Sequence, residues 1–176
     1  MDISLKEEIL GSKEKHIREV GDFCCGVEKE ALEIYLKSNA FKESKNHKQV
    51  VYLIKDSNNH IIGYYSLRAN AISYLIDSRN DVKPFIELSE FAINYEYQRK
   101  GYGTYIMLRF VFDKIKQIAS IVGCQGIMTF ALDKIATSFY ESLGFETVEK
   151  SQSIILPDQF SEGCTLMTIS IDTIDL

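Results

Sequence analysis

Apolar and polar positions alternate from Phe85 to Ile93 (FIELSEFAI) in the manner of a β-strand, and the chain then changes period. After a short polar stretch, Tyr105, Leu108, Phe112, Ile115, Ile118 and Ala119 recur at helical spacing. The junction between the two, QRKGYG from Gln98 to Gly103, is therefore a strand-to-helix turn carrying two glycines. Upstream, EKEALEIYLKSNAF (Glu28 to Phe41) sets Ala31, Leu32, Ile34, Tyr35, Leu36 and Ala40 among charges, which predicts an amphipathic helix beginning after Gly26. QVVYLIKD and IIGYYSLRA are rich in β-branched and aromatic residues, with DSNNH between them as turn chemistry, and they predict an antiparallel hairpin over residues 49–69. Residues 70–84 read as less regular, ending at Pro84. Downstream, GIMTFAL (126–132) predicts a strand and KIATSFYESL a helix that stops at Gly144. Two further strands are expected, at Gln152 to Leu156 and Cys164 to Ile171, separated by the turn-prone PDQFSEG. Residues 1–15 are polar and read as a loose lead-in or a short helix. Strands interleaved with helices predict one α/β (α+β) domain over residues 1–176, built on a single mixed sheet.

Composition narrows this picture without changing it. A chain of 176 residues has the size of one domain, and its 45% hydrophobic and 26% charged residues are those of an ordinary globular protein. The net charge of −5 argues against a surface that is basic throughout and traps nucleic acid, although it leaves room for a local basic patch. No apolar run is long enough for a membrane span and no leader is visible, so the expected location is the cytoplasm, away from membranes. Cys24, Cys25, Cys124 and Cys164 have no ligand spacing with one another or with His16, His47 and His60, so neither a metal site nor a disulfide framework is expected.

The glycine turn raises the first chemical question. At the start of a helix the amides lack intrahelical acceptors and the helix dipole is positive, so an anion is favoured there, and glycine leaves the backbone open to it. The plain alternative is a tight turn that needs glycine for its shape.

QRKGYG matches the Q/R-x-x-G-x-G/A turn of the GNAT N-acetyltransferase superfamily, and ATSFYESLGF (Ala136 to Phe145) is similar to that family's second signature, A-x-x-FY-x-x-x-GF. The two occur in the family's order, each after a strand and within or before a helix, and the resemblance can be followed over residues 22–150. It implies a GNAT-like mixed, mostly antiparallel sheet, flanked by helices, in which the two central strands splay and acetyl-CoA lies in the gap. It also implies direct acetyl transfer to a primary amine in a ternary complex, with no metal. Carried over residue by residue, it assigns the pyrophosphate to Gln98 at the first motif position and to the backbone of Arg99, Lys100, Gly101, Tyr102, Gly103 and Thr104, and the pantetheine arm to Phe91, Ala92 and Ile93. Asp133, Ala136 and Phe139 fall on the cofactor side of the second signature, where Asp133 stands in place of the asparagine of many relatives. Phe139 and Phe145 are also assigned to packing. Tyr140 is assigned as the acid that protonates the departing thiolate, with a core aromatic as the alternative. Glu87, four residues before Phe91, resembles the general-base glutamate of the histone-modifying branch, with a solvent-facing carboxylate as the alternative.

The acceptor stays open among three readings. DFCCGVEKEALEIYLKSNAFKES followed by VVYLIKDSNNHIIGYYSL is similar to the GNAT toxins of bacterial toxin–antitoxin systems, a branch that acetylates aminoacyl-tRNA. Lys37, Lys42, Lys45, His47 and Lys48 form a cationic cluster that would suit tRNA and equally suits a solvated loop. The leading reading is nevertheless a primary amine of a small molecule, peptide or protein as acceptor, and the third, from a different class, is a catalytically weak acyl-CoA-binding module. The resemblance leaves room for a homodimer.

Overall fold

The computed structural model describes residues 4–11, 14–26, 29–77, 79–148 and 163–174. Seven strands form one mixed sheet in the order β1-β2-β3-β4-β5-β7-β6. They are β1 (Lys6–Ile9), β2 (Val50–Lys55), β3 (Ile61–Ile76), β4 (Arg79–Ile93), β5 (Gly126–Ala131), β6 (Glu146–Thr147) and β7 (Thr165–Ser170). Cα packing divides the chain into two compact units, Met1–Arg68 with Ser89–Val111 and Ala69–Leu88 with Phe112–Leu176, so that β3 and β4 each contribute to both.

In the first unit, β2 pairs antiparallel with β3 from Val50↔Leu67 to Lys55↔Ile61, as the hairpin reading requires. Its turn is held by Asp56, whose Oδ1 accepts from the amides of Asn58 and His60, both at 2.9 Å, while Asn59 takes a left-handed φ of 66°. The N-terminal segment departs from expectation. Lys6–Ile9 is neither lead-in nor helix but an edge strand paired antiparallel with β2, followed by helix α1 (Glu14–Gly21). Its sequence, KEEI, is mostly charged, which suits an edge and hides it from a pattern search. The helix read over residues 28–41 is observed as α2 (Glu30–Ile34), a wide π turn (Tyr35–Asn39) and α3 (Ala40–Lys45). Leu36 and Ala40 are buried from it, packed with Phe23, Leu53, Tyr64 and Ala92.

The helix after the glycine turn has the same interruption: α4 (Tyr102–Ile106), a π turn (Met107–Val111) and α5 (Phe112–Ile121). The extra residue of the π turn shifts the buried face. Ile106, Met107, Val111, Phe112 and Ile115 are buried, whereas Tyr105 and Leu108, read from the sequence as core positions, are 37% and 47% exposed.

In the second unit, β5 pairs parallel with β4 over Ile86↔Ile127, Glu87↔Met128 and Leu88↔Thr129, and antiparallel with β7 over all six of its residues. β4 runs on to Ile93 past the last of those three pairs. Ile72, Phe85, Met128 and Leu166 form the core of this unit. Residues 70–84, expected to be irregular, lie largely in β3 and β4, and Pro84 sits inside β4. Helix α6 (Lys134–Glu141) ends as the sequence predicts. Gly144 adopts a φ of 91°, and the amides of Gly144 and Phe145 donate to the carbonyls of Glu141 and Tyr140 at 3.0 and 3.1 Å, a Schellman termination. Of the two late strands, the one at Cys164 to Ile171 is observed as β7, followed by helix α7 (Ile171–Ile174), and the one at Gln152 to Leu156 lies outside the described residues. Among the described residues no helix is long and apolar enough to cross a membrane.

Candidate active site

The glycine turn begins where β4 ends. Asn94 caps a single 3₁₀ turn (Tyr95–Tyr97) through its side chain, which accepts from the Glu96 amide, and its own amide donates to Ile62 O at 2.8 Å. Gln98 follows in extended conformation, Arg99 turns left-handed with φ 57°, Lys100 returns to negative φ, and Gly101 is left-handed again with φ 83°. Alternating handedness of this kind tilts successive N–H groups toward one concave side, a nest for anions. Gly101 is also the N-cap residue of α4, and it has no side chain with which to cap. Tyr105 is the first amide to donate back into the helix, to Gly101 O at 3.0 Å, so the amides of Tyr102, Gly103 and Thr104 have no intrahelical acceptor. A Cβ placed on Gly101 would meet nothing within 4 Å; backbone strain at its φ, rather than lack of room, is what selects glycine there. Arg99, Lys100 and Thr104 are exposed, and the Lys100 ammonium lies 6.0 Å from the centre of the Tyr97 ring.

Three of the carried-over roles read differently once their partners are known. The Gln98 side chain turns back from the nest: its Nε2 donates to Ile93 O and to Cys25 O, each at 2.9 Å. That takes the Ile93 carbonyl. Asp133 is the N-cap of α6, its Oδ1 accepting from the Ala136 amide at 2.7 Å. Both Asp133 and the Ala136 amide are thus engaged in capping, which is also what asparagine does well at such a position.

Glu87 is 2% exposed, which removes the solvent-facing alternative. Its Oε2 accepts from Asn70 Nδ2 at 2.5 Å, and Asn70 is itself oriented by its Oδ1 accepting from the Ala71 amide at 2.8 Å. Asn70 escaped sequence reading because it lies in the segment that carries no clear period. Next to Glu87 along the strand, Thr129 Oγ1 donates to Leu88 O at 2.9 Å and fixes the end of the parallel ladder. Tyr140 is buried, with its ring edge-on to Phe139 at 5.3 Å and tilted against Phe145 at 5.2 Å. Its placement is doubly determined, by those rings and by the helix termination that its carbonyl closes.

Elsewhere, Glu8, His16 and Glu19 bring ligand atoms close together, but the Lys55 ammonium already sits among them, 2.6 Å from each of the two carboxylates. Cys25 is buried; desolvation, with the Glu33 carboxylate adding to it, pushes its thiol up to about 11, so it is not a ready nucleophile at neutral pH.

A left-handed nest feeding an uncapped helix, set after a central strand of a mixed sheet, is a geometry that favours an anion, as a CoA-dependent acyltransferase would need for its phosphates. Comparison with known proteins makes the class definite: a family model described as an acetyltransferase (GNAT) domain matches residues 47–147, more than half of the chain, and the protein therefore belongs to the GNAT acetyltransferases and is an N-acetyltransferase. Solved structures of similar fold include a Tyr-to-Phe mutant of KacT (21% identity, TM-score 0.76, 97% of this chain and 97% of that chain). They also include AtaTR bound with AcCoA (22%, 0.76, 99% and 98%) and AtaT complexed with acetyl-methionyl-tRNAfMet (21%, 0.77, 98% and 98%). At these identities the likeness is one of fold.

Proposed function

We propose that this N-acetyltransferase moves the acetyl group of acetyl-CoA onto the amino group of an aminoacyl-tRNA. The observation that carries the acceptor is the full-length likeness, with the same coverage on both sides, to AtaT in complex with acetyl-methionyl-tRNAfMet. A patch suited to phosphates supports it. Lys42, Lys45, His47 and Lys48 are exposed around the end of α3, and among the described residues these three lysines enter no ion pair; Lys37 is different, held 2.7 Å from Glu33.

In this reading the amides of Lys100 to Thr104 hold the pyrophosphate, and Phe91 to Ile93 offer backbone to the pantetheine arm. Acetyl-CoA supplies a thioester carbonyl and a thiolate leaving group. The acceptor nitrogen forms its bond to the acetyl carbon as the carbon–sulfur bond breaks. Glu87, held in place by Asn70, takes the proton that the nitrogen gives up, and the Tyr140 hydroxyl gives a proton to the sulfur. The net charge of −5 favours a second reading, in which the acceptor is the primary amine of a small molecule or peptide. The deciding experiment supplies labelled acetyl-CoA with charged tRNAs, uncharged tRNAs, polyamines and peptides in parallel. Label on charged tRNA alone, falling steeply with added salt, is the expected result; label on free amines with charged tRNA unmodified establishes the second reading instead.

A further inference from the structure

The side chain that stabilises the phosphate nest most directly does not face it. Arg99 holds a left-handed φ of 57° without being glycine, a conformation that persists only where the surroundings over-determine it. The residue immediately before it is Gln98. The two N–H bonds of a primary amide diverge in one plane, and those of Gln98 Nε2 are divided between two carbonyls, Ile93 O at the last residue of β4 and Cys25 O in the segment ahead of α2, at 2.9 Å each. The same segment is fastened again by the Tyr95 amide to Cys24 O at 2.7 Å, and at Gly26, where a Cβ would come within 3.0 Å of the Tyr95 ring. The fork therefore joins three pieces of backbone: the end of β4, the turn itself and residues 24–26.

We propose that Gln98 is a positioning residue for pyrophosphate binding. Its amide clamps the Ile93 and Cys25 carbonyls, fixes the direction in which the chain leaves β4, and so holds Arg99 and Gly101 in the left-handed geometry that aims the turn's amides. The clamp makes the segment ahead of α2 part of the nest without its touching the ligand. The inference rests on the turn being the pyrophosphate site, and its consequence is specific to donors. Glutamine and arginine can both donate twice from this position, whereas glutamate, nearly the same shape as glutamine, offers oxygens to two carbonyls that are themselves acceptors.

Calorimetric titration of acetyl-CoA into the parent, Gln98→Glu, Gln98→Arg and Gly103→Asp proteins tests this, with thermal melting confirming that each is folded at the titration temperature. Gln98→Glu is expected to weaken binding about tenfold, the equivalent of one lost hydrogen bond, with Gln98→Arg restored to near the parent value. Gly103→Asp, which puts a carboxylate into the turn itself, should abolish binding. If Gln98→Glu does not fold, Gln98→Met removes the donors without adding charge and takes its place. Parental affinity in Gln98→Glu together with lost affinity in Gly103→Asp overturns the clamp and leaves the pyrophosphate site intact. A Gln98→Arg protein as weak as Gln98→Glu overturns the donor argument. Parental affinity in Gly103→Asp overturns the pyrophosphate reading of the turn and the clamp with it.

Discussion

A single substitution can separate the packing role of Tyr140 from its proposed role as proton donor. Its ring packs against Phe139 and Phe145 and its carbonyl closes the Schellman termination of α6, and neither depends on the hydroxyl. Tyr140→Phe should therefore melt like the parent and bind acetyl-CoA as well, while turnover falls by about 10²-fold to 10⁴-fold, the range for a positioned proton donor. Parental turnover in that variant would remove the phenol from the chemistry. For Glu87 the informative variable is pH. Glu87→Gln keeps an oxygen for Asn70 to donate to, so the fold is spared, but the variant depends on acceptor molecules that are already neutral. Its rate deficit should be greatest at low pH and shrink as pH rises; a pH–rate profile parallel to the parent's would pass the base role to water. The letters of both signatures were legible in the sequence, but the roles of Gln98 and Asp133 were not. Gln98 is defined by a carbonyl 73 residues away, and Asp133 by an amide that only a formed helix presents.

At the scale of elements, Asp133 is first of all the residue that starts α6. Asp133→Ala should lower stability by about 1 kcal/mol, the usual worth of an N-cap side chain, and Asp133→Asn should recover nearly all of it; denaturant unfolding measures both. Equal stability of all three proteins would mean the cap contributes nothing. The elements that were hardest to read share a cause. β1 is four residues long with three of them charged, and only its pairing with β2 makes it a strand. Residues 70–84 contain Asn70, Asp77, Asn80, Asp81 and Pro84, which look like loop chemistry, yet long-range pairing extends β3 and β4 through most of them. The helix after the glycine turn was found in the right place, with the right face at Phe112 and Ile115 and the wrong one at Tyr105 and Leu108, because a 3.6-residue period cannot anticipate a π turn.

Across the whole molecule, the most consequential charge is one that net charge conceals. Lys55 is 2% exposed and reaches Glu8 and Glu19, while His16 donates from Nε2 to the other oxygen of Glu8 at 2.8 Å and accepts the Gly11 amide at Nδ1, tying β1, α1 and β2 together. The Lys55 hydrogen bond, followed by that from His16, lowers the Glu8 pKa from 4.5 to about 2. A lowered folded-state pKa gives stability that is present above the ordinary carboxylate value and is lost as pH falls through the folded one. The melting temperature should accordingly decline between about pH 4.5 and 2. In Glu8→Gln that decline should be shallower and start from a lower plateau at neutral pH; an unaltered acid profile would show that the network does not set acid stability. The π turn at Met107–Val111 bears on the protein's kinship as well as its packing. It accommodates one residue more than an α-helical turn of the same rise, so it behaves as a single-residue insertion absorbed without a loop. A relative lacking it would align to this chain with a one-residue gap hidden inside an unbroken helix, and a role copied across that gap by simple counting would land on a neighbouring side chain, about a quarter-turn around the helix from the one that inherits it.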